Sequence, residues 1–461
     1  MFAADVFRND FVVRLRRTRW IVVGTAALAL SSPFGASAEP RRAQPTPAAS
    51  SSPSRPDAER ELAREARYET IVRVALRQNP ELAEARERAR AAREIAPALS
   101  RLPDPEFEYQ LWAQPLARPY ALDEAQMHMF GIRQAFPAPG SLGARSDAAS
   151  EQARALSQTR IAREHDLVAR VRRAYAEYYR ADREYRIHVD HVALAQQVLD
   201  VARASYRAGG GTQQTVLRAV VELSRLHNQL ANVDGERRSA RGLLNVLMAR
   251  PANAPLGPPA ALEPAKVEGR LDDLNRLLHT RRPDIAAAES AIRAREREVE
   301  AARSSGRWPS FMVGVQYMYM PPEEDPHNYG VMFSMSLPWL NPRYGEEVRA
   351  AEATLAAERN ALSEVRNVAR YELYEAIERL RASQESYAII ERDLLPQAQR
   401  SFDAARAVYR GGQGDSLALF DALRSLLDVR IERERALARL DSAVADVERA
   451  VGGRIPRKGR K

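Results

Sequence analysis

The sequence predicts a mainly α-helical chain with a small β part: two structural repeats, each of long coiled-coil helices plus a β-hairpin. Three observations lead there. First, Tyr206-Arg207-Ala208-Gly209-Gly210-Gly211 returns 203 residues later as Tyr409-Arg410-Gly411-Gly412-Gln413-Gly414. Asn79-Pro80-Glu81-Leu82 returns at the same spacing as Arg282-Pro283-Asp284-Ile285, and Arg101-Leu102-Pro103 is echoed by Arg307-Trp308-Pro309. A duplicated unit of this size implies internal pseudo-symmetry. Second, long stretches interleave Arg, Glu and Ala, the composition of solvated helices and coiled coils. Third, each copy holds a short pair of segments that switch to a period of two, the signature of strands.

The elements follow in order. Residues 59–96 read as helix, with Leu62, Ala66, Ile71, Val74 and Ala75 at three- and four-residue spacing and Pro80 as a divider. Glu106 to Leu111 alternates polar and apolar, and Met127 to Phe136 gives the second strand of a hairpin. A helix from about Gly143 to Arg207 would be roughly 100 Å long if unbroken. The glycines at 209–211 end it. A helix from about Thr212 to Ala249 must run antiparallel, because the connection is so short. The Pro/Ala-rich stretch 251–264 links the copies. Copy two repeats the order: a helix over 271–305, strands over Phe311–Tyr319 and Val331–Leu337, a helix over Glu346–Arg410 interrupted near Pro396, and a last helix over Ser416–Val451. The loop between its strands, Pro321 to Pro326, is acidic.

Composition bounds the function. The chain has 461 residues, 70 Lys+Arg against 61 Asp+Glu, and no cysteine. That excludes disulfides, thiolate metal sites and thiol nucleophiles. The net charge of +9 gathers at the two ends, so it gives no case for nucleic acid. Arg14 to Arg19, the short apolar run Ile21–Leu30 and Ala36-Ser37-Ala38 fit a secretory signal. A membrane anchor is the rival reading, against which Pro33 and Gly35 end the run early. The expected plan is a signal at 1–38, a disordered leader at 39–58, repeats at 59–264 and 265–452, and a basic tail at 453–461.

Two hairpins give four strands. Four strands cannot close a barrel, which needs about eight, and open edges are unsafe in water or lipid. Either the strands form a small soluble sheet, or several chains pool their hairpins.

The duplicated plan resembles the trimeric outer-membrane efflux channels of Gram-negative bacteria, the TolC family, over about residues 60–452. The resemblance is carried by Ala75-Leu76-Arg77-Gln78-Asn79-Pro80-Glu81-Leu82, Leu102-Pro103-Asp104-Pro105, Phe130-Gly131-Ile132-Arg133-Gln134-Ala135-Phe136-Pro137, Arg282-Pro283-Asp284-Ile285, Ser334-Met335-Ser336-Leu337-Pro338 and the two Tyr-Arg-x-Gly turns. It implies a homotrimer whose strands make one twelve-stranded β-barrel in outer-membrane lipid, above an α-helical periplasmic tunnel. It implies the exit duct of a tripartite efflux or type I secretion system, fed by an inner-membrane pump through a periplasmic adaptor (membrane fusion) protein, with no cofactor. Leu102-Pro103-Asp104-Pro105 and Pro137-Ala138-Pro139-Gly140 are similar to the metal-efflux branch.

The resemblance also places a periplasmic tip at Tyr206, Gly209, Gly210, Tyr409, Gly411 and Gly412. Tyr409 matches a tyrosine that locks the closed state, and Asp421 matches one aspartate of a pore ring. The second aspartate position is Ala418, a departure; copy one has Thr215 and Arg218 at the equivalents. Asp415 is a pore charge or the N-cap of the last helix. Asp421 lines the pore or lies on a solvated face, and Arg218 is a candidate ion-pair partner for it.

Other constellations are weaker. His188 and His191, one turn apart, suit a metal or an exposed helix face. Seven of the nine Met lie in the strand regions, which suits a soft-metal route or packing. The glycine runs lack the Lys-Ser/Thr of a phosphate loop, and no catalytic motif is present, so the chain reads as no enzyme. The alternative function is a periplasmic coiled-coil scaffold or adaptor outside the membrane.

Overall fold

The computed structural model describes residues 55–455 except 123–124, 265–270, 322–323 and 412–415. The expected signal, nearly all of the leader and most of the basic tail lie outside them. The first repeat holds α1 (Arg55–Arg64), α2 (Tyr68–Gln78), α3 (Pro80–Ala98), β1 (Glu106–Trp112), β2 (Met127–Phe136), α4 (Ser141–Arg207) and α5 (Gln213–Leu247). The second holds α6 (Leu271–Arg281), α7 (Pro283–Arg307), β3 (Phe311–Tyr319), β4 (His327–Met335), α8 (Arg343–Ile389), α9 (Leu395–Arg410) and α10 (Ser416–Val451).

Three expectations are corrected, and a fourth, the break near Pro396, is met. The single helix before Pro80 breaks again at Ala66, whose N–H donates to Pro258 O and whose carbonyl accepts from Ala260 N–H. The stretch 251–264 is therefore a packed strap as well as a link. The helix over 271–305 divides at Arg282, because Pro283 starts a new helix at its first position. The fourth strand begins at His327, four residues before the expected start, and stops at Met335. The long helix of copy two is interrupted at Ile390–Leu394, just ahead of Pro396, by a π turn in which Leu395 N–H donates to Ile390 O. Widening the turn reroutes a ladder that the proline would otherwise break.

At 67 residues α4 is the spine. Ion pairs mark its antiparallel neighbours. Glu81 of α3 meets Arg163 at 2.9 Å, Arg293 of α7 meets Glu151 at 2.9 Å, Arg180 meets Glu236 of α5 at 3.0 Å, and Arg173 meets Asp446 of α10 at 2.7 Å. The apolar core recurs with the repeat. One cluster holds Ile71, Leu82, Leu244 and Met248; the other holds Leu274, Ile285, Val447 and Val451, each 203 residues on. Between the two repeats lies a buried ion cluster. Arg172 on α4 grips Asp441 of α10 with two bonds of 3.0 and 2.6 Å, and Glu448 with a third of 2.8 Å.

The strands form one antiparallel sheet in the order β1-β2-β3-β4. Pairing of β2 with β3, in the register Ile132↔Val315, joins the repeats; β1 and β4 are open edges within the chain.

Candidate functional site

The first helical turn is built by its own backbone. Gly209 N–H donates to Tyr206 O and Gly210 N–H to Ser205 O, each at 3.1 Å, closing α4 with a Schellman motif. That motif needs a left-handed residue, and Gly209 supplies it at φ +77°. Thr212 then starts α5, its hydroxyl accepting from Thr215 N–H at 3.2 Å. The second turn differs. Gly411 closes α9 at φ −74°, an ordinary value, with its N–H on Ala407 O at 3.1 Å.

The two tyrosines also differ. Tyr206 is exposed. Tyr409 is half-buried against Leu199, Phe402, Leu419 and Leu423, where burial raises its phenol above its ordinary value. Arg218, Ala418 and Asp421 are all exposed. Gly412 and Asp415 lie outside the described residues. Arg218 and Asp421 do not pair with each other. An ion pair between α5 and α10 is made one helical turn further along, away from the two interhelical turns, by Glu222 and Arg424 at 2.8 Å, with the signs reversed: the acid comes from copy one. Gly210 follows the left-handed residue, its nearest outside neighbour being Ser205 Oγ, 3.6 Å from where a Cβ would stand. Around the turns, Val201, Leu217, Val221 and Val408 are exposed apolar side chains.

The sheet has two unlike faces. Cross-strand rows Tyr109–Phe130–Tyr317–Tyr329 and Phe107–Ile132–Val315–Val331 make one face aromatic and aliphatic. Most of these side chains are exposed in the single chain. The opposite face carries Glu106, Glu108, Gln110, Arg133 and Gln316, three glycines, and five methionines, among them Met129 opposite Met318. Arg133 meets both Glu106 and Glu108 at 3.1 Å there.

Two hairpins, two helical turns and a duplicated core match one family. The model of the outer membrane efflux proteins covers residues 71–250 and 274–453. The chain belongs to that family. This efflux protein is similar in sequence to the pyoverdine export outer membrane protein OpmQ of Pseudomonas putida, at 25% identity over 268 residues. That match takes in 56% of each protein, so the chain spans only about half the length of that curated relative. Its fold is that of CusC (TM-score 0.72, 19% identity, 84% of this chain and 92% of that one). It is also that of VceC, an outer membrane protein of Vibrio cholerae (TM-score 0.69, 18% identity, 84% and 96%). The family is one of the outer membrane, and its members are not enzymes.

Sequence reasoning missed two features. His188 and His191 are buried, 5% and 2% exposed, where an exposed helix face was the favoured expectation. Their helix lies in the middle of the bundle, so α10 covers that face. The Arg172 cluster gave no signal either, since its partners stand about 270 residues away in the chain.

Proposed function

We propose that three copies of this chain form the exit duct of a tripartite efflux system. Each contributes its four strands to one twelve-stranded barrel, whose aromatic face meets lipid and whose polar and methionine face lines the lumen. The helices form a periplasmic tunnel with the turns at 206–211 and 409–414 at its tip. There a periplasmic adaptor and an inner-membrane pump engage it. Residues 1–38 act as an export signal, 39–58 as a leader, 59–264 and 265–452 as the two repeats, and 453–461 as a tail.

The observation that carries this reading is the four-stranded sheet with two open edges and an exposed aromatic face. Such a sheet is stable in lipid only if its edges are paired. Aromatic rows at the ends of lipid-facing strands are a known feature of outer-membrane barrels. Exposed Asp421, repeated three times about an axis, supplies a ring that attracts cations.

The test is purification from outer membranes in detergent. A trimer mass and stepwise conductance in planar bilayers are expected. A monomer recovered from a plain periplasmic extract would overturn the reading in favour of a scaffold. Asp421→Ala is expected to relieve block by divalent cations; unchanged block removes Asp421 from the gate. The exported substrate is a small molecule or metal ion, a class suggested by the partial likeness to a pyoverdine exporter. A deletion strain screened against metals, chelators and antibiotics identifies it.

A further inference from the structure

We propose that the His188–His191 pair is an acid-sensitive latch between α4 and α10, which loosens the bundle beside the π turn at Ile390–Leu394 when the surrounding medium is acidified.

Both rings are buried, 5% and 2% exposed. His188 Nδ1 and both ring nitrogens of His191 make no hydrogen bond among the described residues. A neutral imidazole has one donor and one acceptor to satisfy, and burying both without a protein partner, as at His191, costs stability. No group of three His, Cys, Asp or Glu that could hold a metal ion is found among the described residues. Around this level lies an apolar cluster of Ala195, Leu226, Leu427 and Ile431.

The charged groups that bear on the pair come from two helices. On α4 they are Glu184 and Asp190; on α10 they are Asp428, Arg430 and Arg435. Arg435 is held by Glu184 at 2.9 Å, and Arg430 by Gln399 of α9 at 3.0 Å. From α5, Leu223 and Leu226 join the cluster, while Arg225 and His227 stay exposed. From the π turn, Glu391 is taken by Arg433 at 2.6 Å. A proton on either ring therefore adds a cation to an apolar layer already flanked by two arginines.

Burial, then Arg430 and the neighbouring His188, push His191 down to about 4, and burial lowers His188 as well. The sign follows. The tight packing favours the neutral rings, so its contribution is complete above the ordinary histidine value of about 6.5. It is lost as pH falls from there toward about 4. Acid thus favours any arrangement that hydrates the pair. The fold offers one. The π turn at Ile390–Leu394 stands at the same level, and π turns are common at functional sites. An open groove of about 510 Å³, lined by Ile187 of α4, Glu391, Leu395, Gln399 and Arg430, runs beside it.

The conductance arm of the test rests on the channel reading; a second arm does not. Purified full-length protein is titrated in planar bilayers from about pH 7 to about pH 5. One unit of difference in proton affinity between the two packings biases them about tenfold, so open probability should rise on that order. The double variant His188→Gln/His191→Gln should lose that rise. A variant that titrates like wild type, or a wild type with no response, overturns the latch. No conductance at any pH overturns the channel instead, and hydrogen exchange then decides the latch. Amides at 187–195 and 427–434 should lose protection on acidification in wild type and keep it in the variant. Equal protection at both pH values overturns the proposal. If the double variant does not fold, the single variant His191→Leu is read the same way.

Discussion

Asn79 and Leu247 are joined across 168 residues, the Asn79 amide donating to the Leu247 carbonyl at 3.1 Å. The second repeat makes the same contact with other chemistry: Arg282 donates to Ala450 O at 3.5 Å, again 168 residues away. In both repeats, then, the side chain that precedes the helix-starting proline ties down the end of the repeat's last helix. Asn79 does more, since its Oδ1 also caps α3 by accepting from Glu81 N–H at 3.0 Å. Losing a cap and a buried hydrogen bond together should cost about 1–3 kcal/mol. Asn79→Ala is expected to lower the guanidinium midpoint in detergent by that amount. Asn79→Ser keeps the cap and loses only the reach to Leu247, so it should fall between. An unchanged midpoint for Asn79→Ala would show that the tether contributes nothing.

The ends of those last helices carry opposite predictions. Ala249 and Gly452 are 203 residues apart and each closes a Schellman motif. Ala249 N–H meets Val246 O at 2.9 Å and Arg250 N–H meets Asn245 O at 2.8 Å; Gly452 and Gly453 do the same with Arg449 and Glu448 at 3.0 and 2.9 Å. Both central residues are left-handed, with φ +55° and +80°. Alanine pays about 1 kcal/mol for that conformation and glycine does not. Ala249→Gly should therefore raise thermal stability. Gly452→Ala should lower it by more, because an added Cβ would stand 2.8 Å from Arg281 O. Equal and same-signed shifts in a melting experiment would sink the argument.

The ion cluster at Arg172 makes a third prediction. Arg172 and Asp441 are 5% and 7% exposed; Arg172 is compensated by Asp441 and Glu448, and Asp441 is held by Arg172. Removing the arginine strands the buried Asp441, at about 3–5 kcal/mol. Arg172→Met should be strongly destabilising, and Asp441→Leu less so, because Glu448 still pairs with Arg172. The double variant Arg172→Met/Asp441→Leu should recover much of the loss, since a well-packed apolar pair can replace a buried ion pair. Additive losses in a double-mutant cycle, with no recovery, would show that the two side chains act independently.

These three sites differ in how far the sequence exposed them. The repeat was legible because helix-starting prolines, glycine turns and apolar spacing are local chemistry, and Asn79-Pro80 and Arg282-Pro283 announce the same break twice. The strands were legible because their period is two; the bounds of β4 were missed, its start because Pro326 and His327 read as loop, whereas Met320 N–H closes the hairpin on Pro326 O at 2.8 Å. Contacts across the bundle were not legible. Nothing in Arg172 marks it as different from the many solvated arginines around it, and nothing in His188 says that α10 covers its face. The two helical turns were legible as places, and the charge pairing beside them was not. An Arg218–Asp421 pair was a natural reading of the repeat, yet Glu222 and Arg424 make the contact instead. Pairing across two helices depends on their relative rotation, which no single-helix pattern contains.

The two tip turns should respond unequally to the same change. At Gly209 the backbone is left-handed, so any side chain strains a turn that two hydrogen bonds hold in place. The cost, about 1 kcal/mol for alanine and more for a β-branched residue, falls on the local geometry of the tip. At Gly411 φ is −74°, and an added Cβ would meet nothing closer than Val408 O at 3.5 Å among the described residues. Gly209→Val is therefore expected to impair export with the trimer intact, while Gly411→Ala leaves export near wild type. The measurement is growth of a complemented deletion strain on the exported toxicant, alongside the trimer band from its outer membranes. If Gly209→Val exports normally, the first turn is not a contact that the rest of the system depends on. If Gly411→Ala fails as badly as Gly209→Val, backbone strain is not what separates the turns, and the side-chain surface at residue 411 is what the tip requires.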